Sequence, residues 1–149
     1  MKLQQLSVFL ENRPGTLIEP CRVLAQAGIN LVTLSLADTE KFGILRVIVE
    51  DWKAAADLLK SRGFVVKTTE VLAIEVPDRP GGLAGVLETL GKAGVNVEYM
   101  YAFPIPRAGR AVLVFRLDRP DEAVAVLQKN EINVVGPVEL FRRHKAKGD

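Results

Sequence analysis

Asn12-Arg13-Pro14-Gly15-Thr16-Leu17 recurs 66 residues later as Asp78-Arg79-Pro80-Gly81-Gly82-Leu83. The same offset lays Leu24 on Leu90, Ala27-Gly28 on Ala93-Gly94 and Asn30 on Asn96, so 8 of the 19 positions from Asn12 to Asn30 are identical. A match at fixed period marks an internal duplication, and both copies must then share one supersecondary pattern. Gly43 meets Gly109 at this offset. Beyond it the second copy is read as two residues longer, which lays Trp52, Ala55, Ala56 and Leu59 on Pro120, Ala123, Val124 and Leu127.

Each copy reads as strand, helix, strand, strand, helix, strand. Leu6, Val8 and Leu10 alternate over Gln4–Leu10 before the break at Arg13-Pro14-Gly15. Leu17, Cys21 and Leu24, matched by Leu83, Leu87 and Leu90, recur at helical spacing and predict one buried face. Gly28 and Gly94 stand where a helix ends on a left-handed residue. Strands are predicted over 29–37 and 42–49 around a hairpin at Asp38–Lys41, a helix over 51–61, and a last strand from Phe64. In the second copy the predicted elements are strand 74–76, helix 83–93, strands 95–103 and 111–117, helix 122–129 and strand 133–141. The fold class that follows is α+β: two ferredoxin-like βαββαβ domains in tandem, residues 1–70 and 71–149, with antiparallel sheets and helices on one face. The second carries a basic C-terminal tail. A unit this small has a thin core and leaves a sheet face and edges uncovered, which predicts a homodimer and asks that Tyr99, Met100 and Tyr101 be covered.

The Asn/Asp-Arg-Pro-Gly-x-Leu turn after the first strand and the Gly-Ile/Val-Asn step after the first helix, both duplicated, resemble the ACT domain. The resemblance spans roughly residues 2–141 and implies a stand-alone tandem ACT protein: a non-catalytic regulator that binds a small amino acid at an interface between ACT units. It implies a target enzyme or regulator as a further partner. It also implies that Asn30, and Asn96 in the second copy, reach the ligand across the domain pair.

The chemistry of the turn agrees. A zwitterion needs donors for its carboxylate, and the first N–H groups of a helix lack partners and carry partial positive charge. Gly15-Thr16-Leu17 and Gly81-Gly82-Leu83 open such helices, and glycine lets a ligand approach the backbone. Asn12 brings a donor and an acceptor; Asp78 would repel a carboxylate and suit an ammonium. Pro20 removes an N–H near the start of the first helix, yet the first turn is expected to be the better carboxylate host. Leu17, Ile18 and Leu83 suggest a branched or aromatic side chain on the ligand. Arg13 and Arg79 are read as loop charges able to pair with a carboxylate.

Composition excludes other classes. One cysteine, Cys21, and one histidine, His144, leave no metal site and no intramolecular disulfide, and Cys21 sits at a core-filler position. No cofactor cradle and no nucleophile–base pair is visible. The tail Arg142, Arg143, His144, Lys145, Lys147, Asp149 holds four Lys/Arg and one acid. The body keeps 16 Lys/Arg against 17 Asp/Glu, which gives no nucleic-acid signature. Lys41-Phe42-Gly43-Ile44-Leu45 faintly resembles the aromatic strand of an RNA-binding RRM, but the second copy lacks it. A structural dimerisation module without ligand is the remaining alternative. With no signal peptide and no apolar span, the reading is a cytoplasmic protein without membrane contact.

Overall fold

The computed structural model describes residues 1–146 and the side chains of all of these except 105–107; Lys147 and Asp149 of the basic tail lie outside the described residues. The chain divides into two units. One is Gln4–Thr69; the other runs from Glu70 onward together with Met1–Leu3. They are the first and second units below.

The first unit is built from β1 (Lys2–Glu11), α1 (Ile18–Gln26), β2 (Thr33–Thr39), β3 (Phe42–Ile48), α2 (Trp52–Ser61) and the start of β4 (Val65–Pro77). The second takes the rest of β4, then α3 (Gly82–Lys92), β5 (Val97–Arg107), β6 (Arg110–Leu117), α4 (Pro120–Lys129), β7 (Val134–Val135) and α5 (Pro137–Lys145). Strand order is β2-β3-β1-β4 in the first and β5-β6-β4-β7 in the second. The pairs β1–β3, β2–β3, β4–β6, β4–β7 and β5–β6 are antiparallel, as a split βαβ unit requires. No break separates the copies: β4 runs unbroken through Lys67–Glu70.

The cores repeat as the sequence does. Leu6, Val8 and Leu10 of β1 and Leu24 of α1 pack with Leu45, Val47, Val49, Ala55 and Leu59. Their counterparts Leu72, Ile74, Val76 and Leu90 pack with Phe115, Leu117, Ala123 and Leu127. Cys21 lies half-buried against the first core, as its helix position implied. The buried face of α1 is rotated from the predicted one. Leu17 precedes the helix and is 40% exposed, and Pro20, Val23 and Leu24 are the residues α1 buries.

Two readings are corrected by register. Leu10 pairs with Gly43, and its counterpart Val76 pairs with Ala111. Gly43 therefore corresponds to Ala111, not Gly109, and the two extra residues lie within the longer β5–β6 hairpin. Asn30 does not open β2, which begins at Thr33; it sits in the connection after α1.

The third correction is the C-terminus. The strand predicted over 133–141 is two residues long, and a helix follows it. Pro137 takes the first helical position, Glu139 the first turn, and Arg142, Arg143, His144 and Lys145 the last, each placed as the helix dipole favours. Ile74 and Val76 face the core shared with α3 and α4, so Glu75 between them faces the other way, and Arg143 reaches it there. Helices thus cover one face of the second sheet in the βαββαβ repeat, and α5 adds a helix on the other.

All four repeat helices end alike. At α2, Gly63 has φ +86°, its N–H donates to the Lys60 carbonyl at 3.0 Å, and Phe64 N–H donates to Leu59 at 3.1 Å. At α4 the same two bonds form, from Glu131 to Gln128 and from Ile132 to Leu127, but Glu131 holds φ +58° with a side chain. Left-handed backbone costs a residue bearing Cβ about 1 kcal/mol relative to glycine. Glu131→Gly is expected to stabilise the protein by about 0.5–1 kcal/mol in urea denaturation; a loss of stability would contradict this assignment of strain.

Candidate functional site

The two Arg-Pro-Gly turns form the same bonds. Asn12 N–H donates to the Lys41 carbonyl at 3.0 Å and Asp78 N–H to Gly109 at 2.8 Å. Arg13 and Arg79 N–H donate to the carbonyls two residues back, Glu11 and Pro77, both at 3.0 Å. Thr16 N–H reaches the Arg13 carbonyl at 3.4 Å, and Gly82 N–H reaches Arg79 at 3.0 Å. Gly15 and Gly81 supply the left-handed residue each turn needs, at φ +88° and +83°.

The turns differ where the helix starts. In the second unit a Cβ on Gly82 would stand 1.9 Å from the Pro77 carbonyl oxygen, so only glycine lets α3 close onto the end of β4. In the first unit Thr16 occupies that position, and its hydroxyl is directed at the carbonyls of Glu11 (2.6 Å) and Arg13 (2.9 Å). Consequently α3 begins at Gly82, whereas α1 begins at Ile18, two residues later in the repeat. The first intrahelical bond of α3 runs from Gly85 N–H to the Gly81 carbonyl, so the N–H groups of Leu83 and Ala84 precede the helical ladder. In α1 the third residue is Pro20, buried and without an N–H to offer.

Among the residues expected from sequence, the second turn brings Gly81 and Gly82 to one cleft of about 400 Å³. Arg79 and Pro80 form its rim, Pro77 its strand side, Gly85 and Val86 of α3 and Ile132 after α4 the rest. A Cβ on Gly85 would meet nothing within 4 Å, so the cleft runs along a bare stretch of helix. Asp78 is exposed beside the turn, and Leu83 is half-buried against the core. Asn96 stands beyond the far end of α3, where its N–H donates to Asp118 Oδ1 at 2.9 Å.

In the first unit Asn12 and Asn30 are exposed at opposite ends of α1. Nine helical residues separate their connections by about 13 Å, so one copy cannot bring both to one small ligand. Sequence reasoning did not single out Gly85, Val86 and Ile132. The readable signal for the first was Gly81-Gly82-x-x-Gly85, three glycines on one helical turn.

The two turns also differ in charge. Arg13 Nε donates to Glu11 Oε2 at 2.5 Å. The counterpart of Glu11 is Pro77, and among the described residues the Arg79 guanidinium has no acidic partner. The cleft is therefore rimmed by the Arg79 guanidinium above apolar Val86 and Ile132.

A family model described as an ACT domain pair matches residues 1–143. No curated protein matches the sequence. A crystal structure of a protein from Bacteroides thetaiotaomicron is 40% identical with a TM-score of 0.87, covering 95% of this chain and 96% of that one. The ligand-free regulatory subunit of aspartate kinase from Thermus thermophilus matches over 85% of this chain and 91% of its own, at 14% identity and TM-score 0.62. The corresponding subunit from Thermus flavus is 13% identical with TM-score 0.59, over 86% and 91% of the two chains. At these identities the two kinase subunits show a shared fold.

Proposed function

Because this chain belongs to the ACT domain pair family, we propose that it is a non-catalytic regulatory protein that binds a free amino acid at a strand–turn–helix step of an ACT unit. The observation that carries the reading is the cleft at Arg79-Pro80-Gly81-Gly82, which joins a cation to an apolar wall. A carboxylate suits the first and an aliphatic side chain the second. Among the described residues, no helix is long and apolar enough to cross a membrane.

The reading includes a homodimer. β2 is an edge strand with unpaired backbone, and its Leu34 and Leu36 are 50% and 54% exposed. Asn30, in the connection before β2, and Asn96, directly before β5, each stand too far from their own turn to share a ligand with it, so a partner's Asn would complete the polar shell. Scattering should return twice the 16.3 kDa chain mass. Two kinase regulatory subunits share the fold, which supports a target enzyme or regulator as the body that reads the ligand.

The test is a thermal-shift screen against the twenty amino acids. Binding to the folded state alone at a hundred times Kd stabilises by about 2.7 kcal/mol, which raises Tm by several degrees. A dimer that responds to none of them would make the module a structural one.

A further inference from the structure

We propose that the first unit's sheet face turned away from α1 and α2 is a seat for helix α5 of a second copy, with the partner's Val138 set among Phe9, Phe42 and Ile44. This rests on the homodimer reading above, for which it supplies an interface, and is independent of the amino-acid reading.

Register puts matching positions of the two repeats on matching faces. In the second unit Glu75 pairs with Val112 and Val112 with Phe103, so the three share the face on which Arg143 of α5 reaches Glu75. Val112 and Phe103 are buried there, at 3% and 4% exposed. In the first unit the same pairing joins Phe9 to Ile44 and Ile44 to Ala37, with Phe42 beside them opposite Glu11. Here Phe9 is 40% and Phe42 56% exposed. Chain path explains the contrast. After β7 the chain turns at Gly136-Pro137 and lays α5 on the second sheet, whereas the first repeat runs through Lys67–Glu70 straight into the second. No segment between the repeats is left to fold back over the first face. A sheet face that meets only water alternates toward polar side chains; two phenylalanines, an isoleucine and an alanine adjoin on this one.

What α5 presents outward selects the occupant. Val138, Arg142 and Lys145 recur at i, i+4 and i+7 as one exposed stripe, opposite Leu140 and Arg143. Val138, at 84%, has the highest exposure of any large apolar side chain among the described residues. The stripe is an apolar residue followed by two cations. The seat is an apolar patch beside a hairpin whose Asp38 and Glu40 outnumber Lys41. Two seats packed on each other would instead set acid against acid. In a twofold pair each copy gives one helix and receives one.

The experiment uses the full chain. Light scattering should return twice 16.3 kDa for the parent and 16.3 kDa for Phe42→Asp and for Val138→Asp. Both side chains are exposed, so neither change threatens folding. An equimolar mixture of the two variants keeps one intact seat and one intact helix per pair, and should recover dimer. In a Cys21→Ala background, Phe42→Cys chains mixed with Val138→Cys chains and treated with diamide should form a mixed disulfide dimer that neither variant forms alone. Phe42→Cys chains that link to one another would overturn the proposal in favour of two seats packed face to face. A parent dimer unchanged by either aspartate, with no mixed disulfide, would overturn the seat and leave the homodimer reading intact. A parent mass of 16.3 kDa at every concentration would overturn both.

Discussion

Gly82→Ala is expected to destabilise the protein by about 3 kcal/mol or more, because the added methyl would coincide with backbone and not with a yielding side chain. Its Cβ would lie 1.9 Å from the Pro77 carbonyl oxygen and 2.9 Å from the carbonyl carbon. Relief requires α3 to move off the end of β4. That shift would disturb the turn bond from Arg79 N–H to the same carbonyl and the seating of Val86 and Leu90 in the core. Gly85→Ala is the control. It lies one turn on, with nothing within 4 Å of its Cβ, and should gain about 0.5–1 kcal/mol of helix propensity. Denaturant titration of the two variants measures both. Equal stabilities would mean that the close approach at Gly82 is not a constraint on the fold.

That contrast shows where the sequence was readable. Period and turn chemistry carried the repeat, the βαββαβ order and both cores, because each signal is local and occurs twice. Leu6, Val8 and Leu10 return as Leu72, Ile74 and Val76 in the same pairing register. What pairing alone decides was not readable. Gly43 and Gly109 look equivalent in sequence, yet the β1–β3 and β4–β6 registers put the two added residues between them. At the C-terminus the apolar Val134, Val135, Val138 and Leu140 suggested a strand, and the competing helix signal, Gly136-Pro137 with an acid-to-base gradient, went unread. The second signal prevailed because Pro137 has no N–H to continue the ladder with β4.

The two turns were legible in position, but the difference in charge between them was not. Asn12 and Asp78 drew the comparison of the two turns, being with Thr16 and Gly82 the visible differences within the motif. The difference that sets their charge lies one position outside it, at Glu11 and Pro77. Only the folded turn, which points Arg13 back onto Glu11, reveals that a substitution in the strand alters a cation in the loop.

Arg143→Ala should cost about 2–4 kcal/mol, because it strands a buried carboxylate. Arg143 and Glu75 are each only 12% exposed at the side chain. The guanidinium donates from Nη1 to Glu75 at 2.5 Å and from Nε to Glu139 at 2.7 Å, and Asn133 Nδ2 donates to the second Glu75 oxygen at 3.0 Å. Burial alone would push the Glu75 carboxyl up. The hydrogen bonds from Asn133 and Arg143, with the charges of Arg143 and Arg110, outweigh it and hold Glu75 below its ordinary value. A carboxyl depressed by folding stabilises the native state above its unfolded pKa, and the contribution is lost as pH falls through the folded value. Glu139 is depressed too, chiefly by its bond from Arg143, and loses its contribution over the same descent. α5 buries Leu140 fully and Phe141 in part, and the ion pairs add to that apolar attachment. Stability measured from pH 7 to pH 3 should therefore fall more steeply in the parent protein than in Arg143→Ala, the two curves converging below about pH 4, near the ordinary carboxylate range. Glu75→Gln should flatten the same limb while keeping the amide bonded to Asn133. Parallel curves across the whole range would show that the acid sensitivity arises elsewhere.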